Sequence, residues 1–332
     1  MSLLADLFGQ CKESRSFTYQ HHVAFLRNEE SSDLLIIFSP YQKNPAMSKF
    51  RFYRYALSVR SNVLFIADRN STWYLQGVPG LGNDPDEVAH SLLELRDAIN
   101  ADRIMTVGGS MGGYAALLFG GLTGAEVIIA TGPDVIINSA HSKSRRLRGE
   151  FFSRYGVGKY SDLRKLDYSR TGVVSVMVGE YDIWDNLQLV GRPRQWNIHT
   201  LLGADHSVPE YLRAAGKLDE TLNHFLYGLP LNFNDLSFGF RFAEDFYTAM
   251  HAIIYEYRGN KIPALRTLSR TYPDNPLIYF VLGTVFLRRK NYPKALTSFQ
   301  QAVDRAPNFS TAQLQLAKLG QMVERAMTRK TA

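Results

Sequence analysis

The stretch Thr106–Leu118, TVGGSMGGYAALL, limits what this chain can fold into more than any other. An apolar run beginning at Arg103-Ile-Met-Thr-Val halts at Ser110, flanked by Gly108 and Gly112, and small residues resume as Tyr114-Ala-Ala-Leu-Leu-Phe. The pattern predicts a strand, a tight turn and a helix, since the glycines let strand and helix approach closely around a serine on a strained turn. The helix N-terminus behind that serine points free N–H groups and a partial positive charge at any oxyanion formed there. Ser110 is therefore the candidate nucleophile.

The flanking sequence supplies a sheet for this turn. Asp33-Leu-Leu-Ile-Ile-Phe-Ser and Asn62-Val-Leu-Phe-Ile-Ala-Asp are continuous apolar runs of the kind buried on both faces. Between Asp86 and Asn100, Val88, Leu92, Leu93, Leu95 and Ile99 recur at helical spacing behind an acidic first turn. Ala125–Ala130, Gly172–Val178 and Trp196–Leu202 continue the strand rhythm, and Pro209–Leu226 predicts a closing helix. Strands alternating with helices imply an α/β fold with a doubly wound, mostly parallel sheet. Phe17–Leu26, aromatic and β-branched in partial alternation, predicts one early antiparallel strand.

The alternation breaks down over residues 135–170, a basic and aromatic insert placed to cap the site. From His141 to Arg170 there are nine lysines and arginines against three acids, which accounts for most of the chain's net charge of +7. Cys11 is the only cysteine, which excludes an intramolecular disulfide and a cysteine–zinc site and favours a reducing, cytoplasmic setting. Met1 to Lys12 has no charged-then-apolar leader pattern, and no run reaches the roughly 18 apolar residues of a membrane span.

At 332 residues the chain has room for a second domain. Residues 227–236, with Gly228, Pro230 and two asparagines, read as a linker, and everything after them has helical spacing. Within Asn275–Pro307, Tyr279, Leu282, Gly283, Phe286, Ala295, Phe299, Ala302 and Pro307 occupy the consensus offsets of a tetratricopeptide repeat. Ala249, Leu265, Leu268 and Pro273 form a degraded copy one period upstream, and Phe309–Met327 predicts a capping helix. So short an array has apolar faces left over, which predicts packing against the first domain.

On these motifs, residues 17–227 resemble an α/β-hydrolase and residues 242–327 a tetratricopeptide array, with domains at 1–230 and 240–332. The resemblance implies a serine, acid, histidine order. Asp182, in Val178-Gly-Glu-Tyr-Asp, lies 72 residues after Ser110, and His206, in Gly203-Ala-Asp-His, follows 24 residues later. A serine hydroxyl needs a base titrating near the working pH, which assigns His206; a carboxylate on the other ring nitrogen assigns Asp182. Asp134 is a rival acid, and Asp185 is the candidate cap of a short helix. The Met111 N–H with that of Tyr41 or Gln42 would hold the oxyanion, Pro40 having none to give. Arg145, Arg146, Arg148 and Arg154 are candidates to steer an anionic acyl donor or acceptor, with a solvated cap face as the alternative. No metal-ligand spacing, Walker lysine or dinucleotide fingerprint is present, so no cofactor is expected. The implied activity is cleavage or transfer of an ester or thioester acyl group through an acyl-enzyme. Its substrate would be an acyl-bearing small molecule, a glycan or a carrier-bound group. Nucleic acid is not an expected partner; a protein docked on the repeat helices, with the hydrolase fold as scaffold, is the competing function.

Overall fold

The computed structural model describes residues 17–20, 22–43, 50–232, 238–239 and 243–331, with the backbone only at 17–20, 238–239 and 324–331. Cys11 lies outside the described residues. Among the described residues, nine strands form one sheet in the order β1-β2-β4-β3-β5-β6-β7-β8-β9. The six strands β3 (Asp33–Phe38), β4 (Asn62–Ile66), β5 (Arg103–Gly109), β6 (Val127–Thr131), β7 (Val173–Gly179) and β8 (Trp196–Leu201) run parallel. The single early strand expected from Phe17 to Leu26 is instead an antiparallel pair, β1 (Phe17–Gln20) and β2 (Val23–Leu26), and β2 also runs antiparallel to β4. A short strand, β9 (Phe238–Gly239), pairs antiparallel with β8 just after the stretch read as a linker, where only helical spacing was expected.

The apolar runs are continuous because both sheet faces are covered. In β3, Leu34, Ile36 and Phe38 join one core layer while Leu35 and Ile37 join the other, and all five are 0% exposed. Burial of each such side chain contributes about 1.5–3 kcal/mol. One layer contains α2 (Pro85–Ala98) and α3 (Met111–Thr123). The other contains α1 (Tyr53–Ser58), α6 (Val208–Ala214) and α7 (Leu218–Tyr227). The last two replace the single closing helix expected at 209–226, because the chain turns at Gly216, where φ is +68°.

Chain direction sets where a site can form. From β3 the chain crosses to β4 on one side and then returns to β5 on the other. The loops after β3 and β5 therefore open into a crevice at a switch point, where open α/β sheets collect ligands. The insert between β6 and β7 begins and ends on a shared bridge, with Ile137 N–H donating to Ser161 at 2.8 Å and Leu163 N–H to Val135 at 3.0 Å. Between these legs stands α4 (Lys143–Tyr155), capped by Ser142. After β7 comes the short α5 (Ile183–Gln188).

The remaining helices are α8 (Glu244–His251), which continues into a π-helical turn at Ala252–Glu256, α9 (Lys261–Thr271), α10 (Pro276–Arg288), α11 (Tyr292–Arg305) and α12 (Ser310–Thr331). Helices α10 and α11 pack through Gly283, where a Cβ would lie 2.6 Å from the Phe299 ring. Leu282, Phe286, Ala295 and Ala302 are buried with it. These helices do not have a core of their own: Phe246, Phe280, Phe299 and Phe309 belong to the same apolar cluster as one face of the sheet. Tyr181 seals the junction, its ring stacked 4.6 Å from Phe309 and its hydroxyl donating to Asn308 at 3.0 Å. Arg192–Glu244 at 2.7 Å and Tyr255 O–H to the Ala140 carbonyl at 3.0 Å add polar ties. Among the described residues no helix is long and apolar enough to cross a membrane.

Candidate active site

Ser110 sits between β5 and α3 with φ +56° and ψ −119°, a conformation that a residue with a side chain rarely adopts. Close packing enforces it. A Cβ on Gly108 would lie 2.0 Å from the Gly112 carbonyl oxygen, and one on Gly112 would lie 2.2 Å from that of Phe38. The Ser110 N–H is consumed by the Thr131 carbonyl at 2.8 Å, which ties the turn to the end of β6. The hydroxyl is left pointing into the crevice.

His206 arrives from the loop after β8. That loop lies against the end of β7, where a Cβ on Gly179 would be 2.1 Å from the Asp205 carbonyl oxygen. His206 Nε2 stands 3.1 Å from Ser110 Oγ, and Nδ1 stands 2.6 Å from Asp185 Oδ2. A carboxylate only accepts, so Nδ1–H donates to Asp185 and the bare Nε2 is left to accept from the serine.

The acid expected on the imidazole was Asp182; the carboxylate within hydrogen-bond distance of Nδ1 is that of Asp185. Asp182 is the N-cap of α5, its Oδ1 accepting from the N–H groups of Trp184 and Asp185 at 3.0 Å each. Its Oδ2 pairs with Lys143 Nζ at 3.1 Å and stands 3.8 Å from His206 Nδ1. Asp185, expected to cap, is one helical turn further on and faces the ring. The other rival, Asp134, is committed to the N-terminus of α4, accepting from the Lys143 and Ser144 N–H groups and from Gln188 Nε2 at 3.0 Å. Gly132 and Lys143 also escaped the sequence reading. At Gly132, φ is +52° and a Cβ would crowd His206 Nδ1 and Asp185 Oδ2 at 3.1 Å each.

The charges of this cluster are set by burial and by one another. Burial, with the neighbouring Asp182 charge, pushes Asp185 up to about 6, against the pull of His206. Burial also raises Asp182, but Lys143 and His206 more than offset it and hold that carboxyl below its ordinary value. Burial lowers His206, yet the Asp185 charge and hydrogen bond outweigh it, so the ring titrates above its ordinary 6.5. Lys143 is likewise raised, its burial outweighed by the two aspartates. Asp182, Asp185 and His206 have ligand atoms within 4.8 Å of one another, a set that by count alone could hold a metal ion. Here the Lys143 ammonium pairs with Asp182 and the imidazole occupies Asp185 Oδ2, while the buried Asp185 Oδ1 has no hydrogen-bond partner.

Ser110 and His206 open into a pocket of about 290 Å³. Tyr41 lines it, its ring 6.2 Å from that of Trp73. Gln42 lines the neighbouring pocket instead. Met111 begins α3 directly behind the serine, so its amide is among those at a helix N-terminus that lack an intrahelical acceptor. Among the described residues, five cations line the serine pocket, Lys43, Arg51, Lys143, Arg146 and Arg213, against the single acid Glu210, which pairs with Arg51 at 2.6 Å. Of the four arginines singled out in the insert, only Arg146 reaches this pocket. Arg145 lines the adjoining cleft, while Arg148 lies 5.0 Å over Phe151 and Arg154 5.8 Å over Tyr155, bordering a separate pocket.

No known family profile matches the chain, and no curated protein matches it. Similar solved structures include the Glycosylation Associate Protein (Gap123) complex from Streptococcus agalactiae, at TM-score 0.42 and 14% identity over 64% of this chain. The chain spans about half of that one, 47% of its length. A capsule O-acetyltransferase of Neisseria meningitidis serogroup A is similar at TM-score 0.46 and 16% identity, over 61% of this chain and 93% of that one. MenH from S. aureus is similar at TM-score 0.39 and 14% identity, over 63% and 99% respectively.

Proposed function

We propose that this protein is a serine enzyme of the α/β-hydrolase type that cleaves or transfers an ester or thioester acyl group. One observation carries the reading: an unbroken chain from Ser110 Oγ through His206 to a buried carboxylate, Asp185, with the serine on a strained turn at a helix N-terminus. Ser110 Oγ attacks the acyl carbon as His206 Nε2 takes its proton, and the carbonyl oxygen becomes an oxyanion held by the amides of Met111 and Tyr41. Collapse expels the alkoxide or thiolate, which leaves with the proton from Nε2. Water or an acceptor hydroxyl then adds to the acyl-Ser110, its proton passing to Nε2 and on to Ser110 Oγ as the ester breaks. Asp185 keeps Nδ1 protonated and stabilises the imidazolium throughout. Lys143 and Asp182 hold their net charge near zero beside it.

The cationic pocket lining favours an acyl substrate that carries negative charge, such as an acidic glycan or a carrier-bound group. Labelling with a fluorophosphonate tests the nucleophile: an adduct mapped to Ser110, absent from Ser110→Ala and His206→Ala, is the expected result. A folded wild-type protein that takes no label at Ser110 would defeat the proposal.

A further inference from the structure

The serine pocket is the smaller part of a larger space. A cleft of about 590 Å³ continues from it, sharing Lys143, Arg146, His206 and Ser207, and runs between the insert, α5 and the helices α10, α11 and α12. We infer that this cleft is the second arm of the substrate site and takes the phosphate-bearing portion of the acyl donor or acceptor, held between Arg288 of α10 and Arg145 and Arg146 of α4. The inference rests on the serine reading only for what the bound group is delivered to.

Three observations point to an anion there. Charge comes first: among the described residues none of Arg145, Arg146 and Arg288 has a carboxylate within 4.0 Å, although all three are exposed on the cleft wall. Arg288 Nη2–H donates to the ring nitrogen of His141 at 2.9 Å, a neutral partner. The acids lining the cleft, Asp182 and Asp205, are engaged elsewhere. Asp182 pairs with Lys143 at 3.1 Å, and Asp205 accepts from Ser207 N–H at 3.0 Å and Ser310 O–H at 3.3 Å. Unpaired guanidiniums converging on one space form forked donor sets suited to phosphate oxygens.

Position comes second. His141 is stacked on Trp184 with ring centroids 4.2 Å apart, which holds the ring as a fixed acceptor and orients Arg288 across the cleft. Burial and the nearby Arg288, Lys261 and Arg145 depress His141 to about 4, so it stays neutral and leaves the guanidinium charge uncompensated. Size comes third. The cleft has about twice the volume of the serine pocket, and Thr284, Thr311 and Gln315 line its helical wall with polar groups. An extended anion seated there would present its acyl-bearing end to Ser110 at the junction. The chemistry fits a phosphopantetheine-type thioester or a phosphorylated saccharide, which share the phosphate.

Trp184 supplies a readout independent of catalysis, because it is the cleft-lining member of three tryptophans and the other two, Trp73 and Trp196, are buried. Full-length protein is titrated with pyrophosphate, coenzyme A and glucose 1-phosphate while tryptophan emission and calorimetric heat are followed. Saturable binding of at least one phosphate is expected, weakened roughly tenfold to a hundredfold in Arg288→Glu, less in Arg288→Gln, and by added salt. Preference for coenzyme A identifies a donor arm, and preference for glucose 1-phosphate an acceptor arm. Fluorophosphonate labelling of Ser110 is measured in the same variants and should persist. Binding that is absent for every probe, or equal in wild type and Arg288→Glu, overturns the cleft proposal even where Ser110 is labelled. Binding that is lost in Arg288→Glu, with Ser110 unlabelled in wild type, sustains the anion site and defeats the serine reading alone.

Discussion

Two buried aspartates three residues apart have opposite duties, and exchanging each for asparagine should separate them. Asp185→Asn keeps the shape but removes the charge that holds Nδ1 protonated at 2.6 Å and stabilises the imidazolium. Loss of the orienting acid in a serine triad lowers turnover by roughly 10⁴-fold, about 5.5 kcal/mol of barrier. Asp182 stands 3.8 Å from the same nitrogen. At an effective dielectric constant near 20 its gross attraction to an imidazolium is about 4 kcal/mol. Lys143, 3.1 Å from that carboxylate, and two backbone donors cancel most of it, leaving a loss of about tenfold, or about 1.4 kcal/mol. Stability should move the other way. Asp182→Asn strands the Lys143 ammonium, whose side chain is 12% exposed, at a cost of about 3–5 kcal/mol. Asp185→Asn relieves a carboxylate that burial pushes up to about 6 and should hold Tm within about 3 °C of wild type. The assay is kcat/KM on a small activated ester beside a calorimetric melt for each variant. If Asp182→Asn loses a thousandfold or more while Asp185→Asn stays within tenfold, the assignment of duties is wrong.

The base must be neutral to accept the serine proton, so kcat/KM should fall as pH drops through the raised His206 value, with a midpoint above 6.5; in Asp185→Asn, burial and Lys143 are less opposed and the residual activity should show that midpoint moved down. The same raised value means that His206 contributes its stability fully below pH 6.5 and loses it as pH rises through the folded-state value, measurable as Tm against pH in wild type and His206→Ala. Gly112→Ala should destabilise by about 2–4 kcal/mol and lower Tm, since its Cβ would meet backbone at 2.2 Å and neither β3 nor α3 can yield cheaply. With an anionic ester, Arg146→Ala should lower kcat/KM severalfold in a salt-sensitive manner while Arg154→Ala leaves it within about twofold; equal effects would place the steering charge on the whole insert.

The parts that were legible in the sequence are those dictated by short-range rules. Continuous apolar runs marked β3, β4, β6 and β7, because a strand covered on both faces has no polar period. The glycines around Ser110 marked its turn, because only they fit where backbones touch. The choice between Asp182 and Asp185 was harder, as both lie just beyond β7, one capping α5 and the other in its first turn. A usable signal was present: an aspartate just before a helix commits its side chain to the N–H groups two and three residues on, which leaves the later acid free to face the site. The arginines were grouped by sequence, yet α4 kinks at Arg148, where φ is −140° and ψ is 22°, and of the four only Arg146 also reaches the serine pocket. Lys43 and Arg51 reach the serine pocket from the segment after β3 and Arg213 from α6, far away in the chain, and no local pattern links them. Local motifs set the C-terminal helices apart as a domain with apolar faces left over, and those faces join one core layer of the sheet.

That shared core orders events in time. Every parallel strand is complete at Leu201, and Ser110 and His206 have both been translated by residue 206, whereas Arg288 and the α10–α12 wall come at least 70 residues later. At translation rates of roughly 5–20 residues per second, that interval lasts about 4–15 s, long enough for the sheet to assemble first. During it the nascent chain would carry a serine and a histidine beside an unwalled cleft and an uncovered apolar face. Emergence of these helices therefore covers the apolar face and walls the cleft in one event, well after the serine and the histidine have been made.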